Sequence, residues 1–264
     1  MTEVQGESKI LVQEEAGIKT ITLNNPKRKN AISNDMAVKL KEEVLKSKDD
    51  DSRVIILTGS GSDFCAGADL DPRVVSEKDF SVTDFLRDTY NVMVKAMREM
   101  DKIFIAKIRG NCVGASFNFA LACDLLYASE TSRFNQIFTR IGLSSDGGGA
   151  FFMPSKVGYH KAFELMALNQ MISAEEALKL NLVNKVLPDS ELDDFVEKIA
   201  RSINEGPFIA IRNTKRNLHA GIHQGLEAGL EREAVNQGEN FMTADFFEGI
   251  AAFLQKREAK FKGK

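Results

Sequence analysis

Along the first two-thirds of the chain, short apolar runs alternate with longer amphipathic stretches, and that alternation sets the expected architecture. Ile10–Gln13 and Lys19–Leu23 are β-prone runs separated by Glu14–Gly17, which reads as a hairpin. Ser33 can cap a helix that carries Ala37, Leu40 and Val44 on one face. Val54–Leu57 is a continuous apolar run closed by Thr58–Gly59, the composition of a strand buried on both sides. Ile103–Ile108 repeats that pattern, and Leu125–Tyr127 does so more briefly. Between them the small-residue segment Val113–Cys123 predicts a helix packed inside. Strands alternating with helices predict an α/β architecture.

The pattern then changes. Ser173-Ala-Glu-Glu176 is a capping box that opens a short helix through Leu180. Leu192, Phe195, Val196 and Ile199 recur at i, i+3, i+4 and i+7, which predicts an amphipathic helix over Ser190–Asn204. From about Pro207 onward every segment favours helix. Phe246, Phe247, Ile250, Phe253 and Leu254 form an apolar stripe near the end, which suits either ordinary core or the cover of a neighbouring subunit.

Composition changes this picture little. The apolar share is 43% and the charged share 28%, both ordinary for a globular chain. A net charge of −3 gives no electrostatic reason to expect nucleic acid or an anionic membrane surface as partner. Basic residues gather only at Lys27–Arg28–Lys29 and at Lys256, Arg257, Lys260 and Lys262, clusters that suit either solvated surface or a phosphate. Cys65, Cys112 and Cys123 show no metal-ligand spacing, and the N-terminus has no secretory pattern, so reduced thiols in the cytoplasm are expected. His219 and His223 stand at i, i+4 with no third ligand in view, so no metal is expected.

Chemistry is expected at two glycine-containing turns that follow buried strands. One is Asp63-Phe64-Cys65-Ala66-Gly67-Ala68-Asp69-Leu70, and the other is Gly110-Asn111-Cys112-Val113-Gly114-Ala115. Small residues let a ligand approach the backbone, and N–H groups at a helix start are free to donate. Two such donors aimed at one oxygen form an oxyanion hole.

The blocks FCAGADL, GNCVGASFNFALACDLLYAS and RFNQIFTRIGLSSDGGGAFFMPSKVG resemble the crotonase (enoyl-CoA hydratase/isomerase) family. So do NPKRKNAIS, MISAEEALKLNLVNKV and FFEGIAAFLQKREAKF, and the resemblance spans nearly the whole chain. It implies a spiral of β-β-α units over residues 1–200 and a helical trimerisation region over 201–264, assembled as a homotrimer or dimer of trimers. It places the oxyanion donors on the backbone of Ala68 and Ala115. It also implies a coenzyme A site at Ala66, Gly67, Ala68, Asp69 and Leu70, beside Gly114, with Arg28 or Lys29 near the phosphates. Phe253 and Lys256 would reach the nucleotide of a neighbouring subunit's ligand. Coenzyme A enters as part of the substrate, and no further cofactor is implied.

The same resemblance addresses the reaction. Family hydratases use two glutamates, whose positions here hold Asn118 and Phe138. Asn118 cannot take up a proton, and Phe138 cannot hold a water. Asp146, in Ser144-Ser145-Asp146-Gly147-Gly148-Gly149, is by its residues alone either a helix N-cap or a functional carboxylate. Dienoyl-CoA isomerases, and the isomerase acting on ring-epoxidised phenylacetyl-CoA, carry a catalytic aspartate there. Ser145 departs from the proline usual at its position, which could shift the loop. The expectation is an acyl-CoA double-bond isomerase with Asp146 as single acid/base, in a pocket lined by Phe138, Phe151 and Phe152 that raises its pKa. Two alternatives stand beside it. One is an enoyl-CoA hydratase recruiting Asp69 or Asp71, and the other a catalytically silent acyl-CoA-binding paralogue. The acyl pocket is expected within Val74–Met97.

Overall fold

In the computed structural model, which describes residues 8–69 and 80–264, the expected hairpin opens the described chain. β1 (Ile10–Glu15) and β2 (Ile18–Leu23) pair antiparallel. Ala16 and Gly17 between them have φ of 48° and 81°. Two positive φ values give the type I′ turn whose twist matches that of the flanking strands.

The chain continues through α1 (Asn34–Lys46), β3 (Val54–Gly59), α2 (Val82–Leu86), a π turn at Arg87–Asn91 and α3 (Val92–Glu99). Next come β4 (Ile103–Ile108), β5 (Asn111–Val113), α4 (Ala115–Ala122), β6 (Leu125–Ser129), β7 (Arg133–Asn135) and a 3-10 turn at Ile137–Ile141. Then follow α5 (Gly149–Val157), α6 (Tyr159–Ala167), β8 (Ile172–Ser173), α7 (Ala174–Lys179) and β9 (Lys185–Leu187). The helices α8 (Leu192–Asn204), α9 (Phe208–Gln224), α10 (Leu226–Phe241) and α11 (Ala244–Gln255) come last.

The strands form a six-stranded sheet ordered β1-β2-β3-β4-β6-β9, parallel from β2 onward, and a three-stranded sheet ordered β5-β7-β8. One plan repeats along the chain. In β4–β5–α4 and again in β6–β7–α5, the first strand joins the large sheet and the second joins the small one. That repetition is the spiral of β-β-α units. The parallel strands are apolar on both faces because both faces are covered. Ile55, Leu57, Phe104, Ala106 and Ile108 face the main core, whereas Val54, Ile56, Ile105 and Tyr127 face Leu192, Val196 and Ala200 of α8.

Several local expectations shift. Ser33 stands at the N-cap of α1, but its hydroxyl bonds Asp35 and Lys9 rather than the helix backbone. Val113 belongs to β5, and the buried helix begins at Ala115. The Ser173–Glu176 capping box is fully formed. α8 runs to Asn204, so a divide at 200/201 falls inside a helix whose residues cover the sheet. The stripe on α11 is not core of this chain: Phe247, Ile250, Phe253 and Leu254 are exposed. Among the described residues no helix is long and apolar enough to cross a membrane.

Candidate active site

The two glycine turns lie side by side because main-chain bonds zip them together. Cys65 N–H donates to Asn111 O at 2.8 Å, and Val113 N–H donates to Cys65 O at 3.1 Å. The Ser116 hydroxyl adds a second bond to the Cys65 carbonyl. Both turns favour glycine, Gly67 by close approach and positive φ, Gly114 by its positive φ alone. A methyl group on Gly67, whose φ is 98°, would stand 3.1 Å from Val113 O. One on Gly114, whose φ is 61°, would stand 4.0 Å from Gly67 Cα. These turns lead into Ala68 and into Ala115, the first residue of α4. Among the described residues neither N–H has an acceptor. The Ala115 N–H also stands at the positive end of its helix.

α4 is buried along its whole length and carries Asn118 one turn beyond Ala115. Asn118 Nδ2 donates to the main-chain carbonyl of Asp146 at 2.7 Å and to Ser145 Oγ at 3.1 Å. Its Oδ1 accepts from Gln136 Nε2 at 2.6 Å. The helix thereby holds the 144–149 loop by its backbone.

Asp146 is not a helix cap. α5 starts at Gly149 with Gly148 as its N-cap, in the left-handed region where a side-chain cap is absent. Asp146 Oδ1 is buried, and among the described residues no donor reaches it. Burial raises the Asp146 carboxyl to about 6, because the charged form loses more hydration than its own backbone N–H restores. The negative charge of Asp146 adds to burial in pushing up the phenol of Tyr90. Tyr90 packs edge-on against Phe119, whose ring also lies against Gly147.

The sequence profile of enoyl-CoA hydratases/isomerases matches residues 13–264. The chain belongs to the enoyl-CoA hydratase/isomerase family. It is 35% identical to a "probable enoyl-CoA hydratase" of Rhodobacter capsulatus, over 94% of this chain and 95% of that one. It is 32% identical to the 1,2-epoxyphenylacetyl-CoA isomerase of Escherichia coli, over 97% and 98%. The solved structure of enoyl-CoA hydratase from Bacillus anthracis superposes with a TM-score of 0.90 at 29% identity, covering 97% of this chain and all of that one. The fold is therefore the crotonase fold of this hydratase/isomerase family.

The structure brings most of the expected site residues together. Lys29 O accepts from Ala66 N–H, and Ile32 brackets the first turn, donating to Gly67 O and accepting from Asp69 N–H. Arg28 pairs with Asp69 at 2.6 Å. Phe138, buried, has its Cζ 3.9 Å from where a Gly114 methyl would sit, so it walls the second turn. Leu70 and Asp71 lie outside the described residues, as does Val74 at the start of the expected acyl-pocket stretch.

One expectation needs correction. Phe151 does not line a pocket around Asp146; it is half exposed, with its ring 4.7 Å from that of His223. Phe152, by contrast, is buried and lies against Gly148. Phe253 is 83% exposed at the end of α11, and Lys256 caps that helix in the left-handed conformation.

Buried polar residues that sequence reasoning passed over also build the site. Asn30 donates to Ser60 O and Asp63 O, and Asp63 accepts from Asn111 N–H. An asparagine inside the basic NPKRKN run was the available signal, but its partners lie 30 and 33 residues away. A cavity of about 260 Å³ adjoins the loop, lined by Phe138, Ser144, Ser145, Ala150, Phe163 and Met166 among others. A wider concavity of about 980 Å³ between α3 and the α9–α10 pair includes Val92, Lys95 and Ala96 of the expected acyl-pocket stretch, but none of the residues expected to bind coenzyme A or to act in catalysis. His219 and His223 pack edge to face with ring centroids 4.6 Å apart, and among the described residues no three metal-ligating side chains gather.

Proposed function

We propose that this protein is an acyl-CoA isomerase that moves a double bond through a thioester enolate, with Asp146 as its single acid/base. Substrates of this reading are a 3-enoyl-CoA converted to the 2-enoyl isomer, or a phenylacetate-derived ring CoA ester. The observation that carries it is the Asp146 carboxyl, its Oδ1 buried without a donor and its pKa raised to about 6, on a loop braced by Asn118 and Gln136. A base with that pKa is ionised at neutral pH and still reprotonates readily, as a proton shuttle requires.

In this mechanism Asp146 removes a proton from one carbon. The electron pair passes through the conjugated system to the thioester oxygen, which the Ala68 and Ala115 N–H groups hold. The enolate then takes the same proton back two carbons away, and the double bond has moved with no net change in atoms or electrons. Each donor in such a hole is worth roughly 2.7–4 kcal/mol. The reading calls for no cofactor, since coenzyme A belongs to the substrate. It assigns the Arg28–Lys29 loop and residues 66–70 to coenzyme A. It also includes a cytoplasmic homotrimer or dimer of trimers, in which Phe253 and Lys256 serve a neighbouring subunit.

Hydration is the second reading, favoured by the name of the Rhodobacter relative. It needs a second carboxylate, and Asp69 is already committed to Arg28. The deciding experiment assays 3-enoyl, 2-enoyl and aryl-acetyl CoA esters by ultraviolet change, with D146N alongside. Isomerisation by the wild type and its loss in D146N support the proposal. Full isomerisation by D146N, or hydration of crotonyl-CoA alone, would overturn it. Binding of CoA esters without any turnover would favour the silent paralogue.

A further inference from the structure

Asn118 occupies the position of a family hydratase glutamate, yet it is completely buried and every polar atom of its side chain is engaged. Its orientation is dictated by its partners. The Asp146 carbonyl can only accept, so the amide nitrogen must face it. The amide oxygen then faces Gln136, itself 2% exposed. Ser145, where the family usually has proline, supplies a hydroxyl that accepts the second Asn118 N–H. Gly149 closes the arrangement: a methyl group there would collide with Ser145 Oγ and lie 2.5 Å from both polar atoms of the Asn118 amide.

The grip falls on the main chain of Asp146 and leaves the carboxyl alone. A hydrogen bond from Asn118 to the carboxylate itself would favour its charged form and weaken it as a base. Held by the backbone, the carboxyl is fixed in place while Oδ1 stays without a donor. Ala115 lies one turn earlier on the same helix face, so one rigid element sets both an oxyanion donor and the base.

We infer that Asn118, supported by Gln136 and Ser145, is a positioning residue that holds the Asp146 loop against the oxyanion turn and keeps water from the Asp146 carboxyl. This inference rests on the reading of Asp146 as the base. It accounts for an amide where the hydratases hold a carboxylate: the site needs a donor there, and an ionised glutamate has none.

The test compares wild type, N118A, N118D and D146N on whichever CoA ester the wild type turns over, from pH 4.5 to 9. The Asp146 carboxyl is followed in parallel by carbon-13 NMR, its signal assigned by its disappearance in D146N. N118A is expected to lower kcat roughly 10- to 100-fold with KM changed less than about threefold, in the range typical of a misplaced acid/base. Its acid limb and its carboxyl titration should both move down toward the ordinary carboxylate range as water enters. N118D, nearly isosteric and therefore expected to fold, should lose kcat similarly at pH 8, while its added negative charge moves the Asp146 titration up. Rate loss with an unmoved acid limb and titration would reduce Asn118 to packing and overturn the inference. So would wild-type kcat in both Asn118 variants with D146N inactive. Full turnover by D146N would instead overturn the assignment of the base.

Discussion

Arg28 Nη2 lies 2.6 Å from Asp69 Oδ1, tying the basic loop to the residue that follows Ala68, the proposed oxyanion donor. The pair is lopsided: Arg28 is 59% exposed and Asp69 is 14%. The guanidinium thus has donors left for a phosphate while one edge is anchored. An exposed contact of this kind is worth at most about 1 kcal/mol. R28A is expected to raise KM for a CoA ester roughly two- to fivefold, with kcat unchanged. The effect should shrink at high salt and vanish with a pantetheine thioester lacking the nucleotide phosphates. Steady-state kinetics on the two esters checks this.

Removing the Asp146 charge should destroy activity and increase stability. A single acid/base contributes roughly 10²–10⁴-fold, so D146N should lose turnover by about that factor. The carboxyl stands at about 6 in the folded chain against an ordinary 3.8. Its ionised form is thus disfavoured by folding, with a penalty fully present above pH 6 and absent below pH 4. At pH 8 D146N should gain up to about 3 kcal/mol, less where solvent reaches the group. Melting temperatures of both proteins at pH 8 and pH 4 would show whether the gain disappears on the acid side.

The pH dependence of wild-type turnover should carry the same signature. The base must be ionised to act, so kcat/KM should rise about tenfold per pH unit below a midpoint near 6 and level above it. A profile rising instead around 4 would mean that the carboxyl is hydrated. The measurement is an initial-rate series from pH 4.5 to 8.

Gly114 tests the oxyanion turn. At φ 61° and ψ −130° its backbone suits glycine alone. G114A should rotate the following Ala115 N–H away and lower kcat roughly 10²–10³-fold. Binding of a CoA ester, measured calorimetrically, should change little, because the donor acts on the developing enolate more than on the ground state.

Lys215 tests how the C-terminal helices are attached. Its ammonium, buried, donates to Met97 O, Lys102 O and the Asp124 carboxylate, joining α9 to the sheet. Removing one partner of such a pair leaves buried acceptors unpaired and typically costs about 3–5 kcal/mol. Arg98 still touches Asp124, so K215A should fall near the lower end, about 3 kcal/mol in chemical denaturation.

Local pattern determined a good deal. Continuous apolar runs marked β3 and β4 because parallel strands are covered on both faces. The Ser173–Glu176 capping box and the spacing from Leu192 to Ile199 marked helices because both signals act within a turn or two. Glycine and alanine at two strand ends marked the two turns that meet, since small residues permit close packing of one backbone on another. What the tertiary structure decided depends on partners distant in the chain. Asp146 in a glycine-rich turn fits a cap equally well until α4, 28 residues earlier, takes hold of its carbonyl. Arg28 meets Asp69 across 41 residues. Phe151 and Phe152 are neighbours of identical type, yet one is half exposed and the other buried. Sequence periodicity reports which residues share a face of one element. Burial, and with it the pKa of a carboxyl, is set by which other elements close over that face.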